Sequence, residues 1–272
     1  MSSMLNKTAC SSLNLYPFPL FDSHLHIIDN RFPLIQNNGY LPPIFTHQQY
    51  LARMSEYHLT GGVIVSGSFQ ANDQGYLIQA LTDLGDAFVG ITQLSVDVSD
   101  QQILQLNTKG VRGVRFNLRR GDKDVIRHLT YMAQRVHELA KWHVELYVDA
   151  KELNELYSTL LKLPALSIDH LGLSHAGVKL LIKMAEKGVK VKATGFSRVD
   201  FNVPLILKSL YAANPSALMF GSDLPSTRAP RDYSDNDFIM VADTLGESAA
   251  LKVFSENAIN FYKPSNTNCG TS

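Results

Sequence analysis

Eight short β-rich runs alternate with helix-forming segments along this chain, and no other feature narrows its fold as far. The runs occupy residues 20–25, 62–66, 88–94, 111–116, 144–148, 165–168, 189–193 and 218–220. Between them lie helical signals: Thr46 ahead of residues 47–59, Ser99 with Gln102 as a capping box, Asp122 ahead of an amphipathic stretch to Trp142, and Ser174 ahead of residues 178–186. Strands joined through helices return to the same end of the sheet, so they lie parallel, with right-handed crossovers. Eight such units predict a (β/α)₈ TIM barrel, one domain over residues 16–262. An open doubly wound sheet would instead place a nucleotide-binding glycine turn after the first strand. None stands there. The chain makes a longer excursion over residues 30–46, with Pro33, Gly39, Pro42 and Pro43, read as a loop folding over the barrel mouth.

A chain of 272 residues with 45% hydrophobic content can bury a sizeable core without disulfides or a structural metal. Lys+Arg 25 against Asp+Glu 25 leaves no net charge, and no basic run is interleaved with aromatics, which argues against nucleic acid as a partner. No apolar run has the length of a signal peptide's core or a membrane span, so a cytoplasmic location away from the membrane is expected. Two cysteines, Cys10 and Cys269, make no disulfide framework and no zinc cluster. Both lie in polar end segments, 1–15 and 263–272, expected to be loose. Oligomeric state stays open, a homo-oligomer included.

In a barrel, catalytic groups sit at the carboxyl ends of the strands. His24 and His26 close the first run, Arg115 the fourth, Tyr147 the fifth, His170 the sixth and Asp223 the eighth, so all should converge. The period of two along a strand sets both early imidazoles on one face, where an unpartnered polar ring is costly to bury. They can bind a metal or polarise a carbonyl. Asp223, after the buried run Met219-Phe220-Gly221-Ser222, must be paired, metal-bound or catalytic, with capping of the next turn as the rival reading. Asp22 is read as a structural cap of the first strand. Asp169, beside His170, is read as pointing to the opposite side and pairing outside the barrel. His58, His128, His137, His143 and His175 are read as helix or surface residues. Arg115, and less directly Arg198, are placed as forks for a substrate carboxylate, while Arg120 is read as solvated.

These residues resemble the amidohydrolase superfamily, in the branch of 2-pyrone-4,6-dicarboxylate lactonase and the sugar lactonases. The resemblance rests on His24-Leu25-His26, Gly110 to Asn117, Ile168-Asp169-His170-Leu171-Gly172, Phe220 to Pro225 and the closing Asn257 to Tyr262. It implies a (β/α)₈ barrel in which Asp223 is general base for water and His24, His26 and His170 polarise a carbonyl oxygen directly or through a divalent ion. It also implies that Arg115 and Arg198 hold substrate carboxylates and that Tyr40 and Tyr147 line the site. Leu173 stands where that lactonase carries a further arginine, and residues 68–73 diverge. Arg115 and Asn117 stand where binuclear relatives carry a bridging lysine, which argues against a two-metal centre. One zinc or manganese ion held by His24, His26, His170 and Asp223 is chemically sound, and the branch also includes members that work without metal.

The expected activity is therefore hydrolysis of a carboxylate-bearing lactone or related cyclic ester by water attack on the carbonyl. Two rivals are a metal-dependent decarboxylase of a carboxylated ring and a barrel that only binds a small anion.

Overall fold

The computed structural model describes residues 16–119 and 123–265. The expected loose segment 1–15, most of the segment 263–272, both cysteines, Arg120 and Asp122 lie outside the described residues. Eight parallel strands follow one another in a single sheet in chain order. They are β1 (Tyr16–Leu25), β2 (Tyr57–Val65), β3 (Phe88–Thr92), β4 (Val111–Asn117), β5 (His143–Tyr147), β6 (Leu166–Ile168), β7 (Lys190–Ala193) and β8 (Leu218–Phe220). The ring closes just beyond β1 and β8. Asp223 N–H donates to the His24 carbonyl, and His26 N–H donates to the Leu224 carbonyl, each at 2.8 Å. Gly221 permits that approach, because a Cβ there would meet the His24 nitrogen at 2.7 Å.

Helices cover the outside: α1 (His47–Arg53), α2 (Gly75–Leu84), α3 (Asp100–Thr108), α4 (Leu129–Ala140), α5 (Leu153–Leu160), α6 (Val178–Glu186), α7 (Val203–Ala213), α8 (Asp235–Leu245), α9 (Glu247–Leu251) and α10 (Asn257–Tyr262). Local chemistry starts several of them. Thr46 with Gln49 and Ser99 with Gln102 form capping boxes on α1 and α3. Asn202 caps α7, whose Pro204 costs nothing where no intrahelical donor is needed. The sequence reading carried the first helix to residue 59, but α1 ends at Arg53 and residues 57–59 pair with β1 as the start of β2. Sheet pairing outweighs a local helical pattern that meets no breaker before Gly61. None of the described helices is long and apolar enough to cross a membrane.

Most of the core lies between sheet and helices. A second apolar group, including Phe21, Val63, Val89, Ile91 and Met219, packs with Tyr262 of α10. Phe21 stacks on Tyr262, whereas His24, an odd number of residues further on, faces the pocket. A register irregularity between Asp22 and Leu25 reconciles the two by shifting the side-chain alternation by one residue.

Candidate active site

The residues at the strand ends meet. The rings of His24 and His26 lie with centroids 5.0 Å apart, and His170 lies 4.9 Å from His24. Asp223 Oδ1 is 3.9 Å from His24 Nε2 and 3.7 Å from His26 Nε2. All four side chains are buried. His170 and Asp223 each follow a three-residue strand and adopt left-handed backbone angles, φ 52° and 60°. That conformation is costly for a residue with a Cβ and recurs at functional sites, where surrounding structure holds it. Here it swings the side chains off the strand's alternation and over the barrel axis. Gly195, itself at φ 61°, leaves room for His170, since a Cβ there would sit 2.6 Å from His170 Nδ1.

Asp22 supports this rim from behind. Its carboxylate accepts from Ser222 N–H at 2.8 Å, Ser222 Oγ at 2.6 Å, Tyr50 Oη at 3.1 Å and His24 N–H at 3.1 Å, tying β1 to the turn that carries Asp223. Asp223 Oδ2 accepts from Arg198 Nε at 2.8 Å, while Arg198 Nη2, which donates to the Thr227 carbonyl at 2.9 Å, lies 2.7 Å from the same oxygen. Among the described residues Asp223 Oδ1, His24 Nε2 and His170 Nδ1 have no hydrogen-bond partner although all three are buried. An unsatisfied buried polar atom is costly, and three pointing together mark a place built for something else.

Burial alone would raise the Asp223 carboxyl, but Arg198, followed by His170 and His26, outweighs it and holds the group far below the ordinary carboxylate range. Burial drives His24 and His170 well below the usual imidazole value; the Lys192 ammonium adds to this for His24, whereas Asp223 opposes it for His170. The resting site thus holds an ionised Asp223 beside neutral His24 and His170 rings.

A cavity of about 30 Å³ lies against His26, Arg115, Asn117, Tyr147, His170, Arg198 and Asp223. Roughly 10–15 Å³ by this measure admits one water, so the space suits a nucleophile and not a ring-sized substrate. Tyr147 and Arg198 also line an adjoining chamber of about 220 Å³, which contains Arg119 and Arg228. Of the residues read from sequence, Arg115, Tyr147 and Arg198 therefore reach the cavity. Tyr40 does not line it; its ring lies under the guanidinium of Arg228, 4.4 Å from the centroid, and it is Arg228 that lines the outer chamber.

Two sequence readings are overturned. Asp169 lies inside the barrel, where its Oδ2 accepts from Arg115 Nη2 at 2.8 Å and Nε at 3.2 Å. Its backbone still pairs with β5, so alternation sends it inward, and the left-handed turn at His170 then brings the next residue inward too. His143 is no surface residue. It opens β5, is buried, and lies 3.6 Å from Glu145.

Beneath the rim is a charged layer missed from sequence. Lys192 on β7 is fully buried, with Nζ 2.6 Å from Glu145 Oε2, and Tyr262 Oη donates to that same oxygen at 2.9 Å. The available signal was a lone charge between apolar residues in a strand, as in Val191-Lys192-Ala193 and Val144-Glu145-Leu146.

His24, His170 and Asp223 each bring a ligating atom within 4.8 Å of the other two, a donor set suited by type to one divalent ion. A second such set, His24, Glu145 and Asp169, surrounds the Lys192 ammonium.

The chain matches the amidohydrolase family over residues 21–263. It is 30% identical over 161 residues to a 2-pyrone-4,6-dicarboxylate hydrolase of Comamonas testosteroni, a match covering 57% of this chain and 52% of that one. This chain thus aligns with about half the length of that relative. It is 26% identical over 226 residues to a 4-sulfomuconolactone hydrolase of Hydrogenophaga intermedia, covering 75% of this chain and 74% of the relative. In fold it is similar to the crystal structure of a probable 2-pyrone-4,6-dicarboxylic acid hydrolase from Acinetobacter baumannii with citric acid bound. The TM-score is 0.79 at 20% identity, over 90% of this chain and 99% of the other.

Proposed function

This chain belongs to the amidohydrolase family, and we propose that within it the protein is a hydrolase that opens a lactone or related cyclic ester bearing at least one carboxylate. One observation carries the reading: Asp223 Oδ1, His24 Nε2 and His170 Nδ1 are buried and unpartnered, the three residues bring a ligating atom each within 4.8 Å of one another, and His170 and Asp223 line a water-sized cavity. Asp223 Oδ1 takes a proton from water as the oxygen attacks the carbonyl carbon. Imidazoles at the rim stabilise the negative charge that grows on the carbonyl oxygen. The ring C–O bond then breaks, and the departing oxygen recovers the proton from Asp223, leaving a hydroxy acid.

The ion pair with Arg198 keeps Asp223 ionised but weakly basic. A substrate carboxylate entering from the outer chamber competes for that guanidinium, and its loss to the substrate raises the basicity of Asp223 as the water is to be deprotonated. Tyr147 stands beside Arg198 at the same passage. Arg115 supports substrate binding at the cavity wall with its charge already balanced by Asp169. A divalent ion, zinc or manganese by donor type, would draw on His170 and Asp223 and on His24 when its Nδ1 hydrogen faces Asp169, with His26 Nε2 beside the same carboxylate at 3.7 Å. It would serve as a Lewis acid and acidify bound water.

The test is a pH-indicator screen of aldonolactones, muconolactones and pyrone carboxylates, with zinc, with manganese and with chelator. Proton release with an open-chain acid as product is expected, falling by about 10²- to 10⁴-fold in Asp223→Asn. Release of carbon dioxide, or near-normal turnover by the variant, would refute the reading.

A further inference from the structure

We infer that Lys192 is a positioning residue that decides which ring nitrogen of His24 carries hydrogen, so that His24 meets its ligand as an Nε2–H donor. Its catalytic consequence rests on the hydrolase reading above; the tautomer itself does not. The Lys192 Nζ is 3.3 Å from His24 Nδ1 and 2.6 Å from Glu145 Oε2, with Asp169 Oδ1 at 3.9 Å and the Tyr262 ring centroid at 5.5 Å. An ammonium has three donors and no lone pair, so a ring nitrogen facing it must accept. A neutral imidazole has a single N–H, which is thereby displaced to Nε2, the atom on the Asp223 side of the ring, 3.9 Å from Oδ1.

The rival arrangement gives the Nδ1 hydrogen to Asp169 Oδ1, but that oxygen is 3.6 Å away and the hydrogen would then face the ammonium. Glu145 is the partner of that ammonium: burial would raise the Glu145 carboxyl, yet Lys192 and His143 hold it below the ordinary value. In effect the ammonium is a tethered cation among His24, Glu145 and Asp169. His26 is set the opposite way. Its Nδ1 lies 2.6 Å from the Val65 carbonyl, which can only accept, so that nitrogen carries hydrogen.

The test is two-bond ¹H–¹⁵N NMR of the histidine-labelled, substrate-free protein, with His24 assigned from the His24→Asn spectrum. The wild type should show His24 as Nε2–H and His26 as Nδ1–H. Lys192→Met combined with Glu145→Gln, which leaves no lone buried charge, should move His24 to Nδ1–H and lower kcat by ~10- to 100-fold with KM nearly unchanged. Lys192→Arg should keep the wild-type tautomer and most of the rate. An Nδ1–H pattern for His24 in the wild type overturns the inference even if the double variant fails to fold, as does an unchanged tautomer in that variant. Because the spectrum is read without substrate, it stands or falls apart from the lactone screen.

Discussion

The interior of the barrel carries charge in two layers, and they are built on opposite terms. On the floor each full charge meets an opposite one: Lys192 with Glu145 at 2.6 Å and Arg115 with Asp169 at 2.8 Å. At the rim His24 Nε2, His170 Nδ1 and Asp223 Oδ1 have no hydrogen-bond partner; His170 and Asp223 line a cavity, and His24 Nε2 lies behind it, 3.9 Å from Asp223 Oδ1. Glu145 Oε1 and Asp169 Oδ1 also lack hydrogen bonds, but neither residue lines that cavity. The difference separates two uses of buried polarity. A paired layer holds geometry and tautomers in place, while an unpaired layer keeps its hydrogen-bonding capacity for a reacting ligand.

The largest expected effect sharpens the rim half of this contrast. Asp223→Asn should lose ~10²- to 10⁴-fold in kcat, about 3–5 kcal/mol in the barrier, while substrate binding measured by calorimetry changes little. The floor should answer in stability. Arg115→Met strands Asp169 as a buried, unpaired charge and should cost about 3–5 kcal/mol in denaturant titrations, much of it recovered in the double variant with Asp169→Asn. Should Arg115→Met keep its stability and only raise KM, Arg115 belongs with the rim and the two-layer division breaks down.

Smaller effects test the scaffolding. Tyr50→Phe removes one donor from Asp22 and should lower stability by about 1 kcal/mol, read as a shift of about 2–4 °C in Tm. Ser99→Ala, on the outer face at the start of α3, should cost ~1 kcal/mol or less and leave kcat and KM unchanged. A kinetic effect there would mean that helix packing reaches the rim.

Sequence made the barrel legible because eight apolar runs and their intervening caps repeat one unit, and strand order follows from the alternation. It also brought His24, His26, His170 and Asp223 together, since each ends a run and the fold gathers strand ends. Asp169 was misread because β6 stops at Ile168 and the left-handed turn at His170 admits two consecutive side chains to the interior, which strand periodicity forbids. Glu145 and Lys192 were missed for another reason. Each is a charge between two apolar neighbours in a short strand, and only the register of β5 beside β6 and β7 reveals that the two charges cancel. The limit of the first helix was hidden because residues 57–59 gain strand partners only once β1 is beside them.

The backbone seam that closes the ring runs through the residues to which the proposed reaction is assigned: the peptides of His24 and His26 hydrogen-bond those of Asp223 and Leu224. Competence therefore arrives late in the life of each molecule. During translation both imidazoles emerge long before the carboxylate, and no partly made chain can bring water, base and electrophile together. The last stitch of the cylinder is also the first moment at which the protein can act.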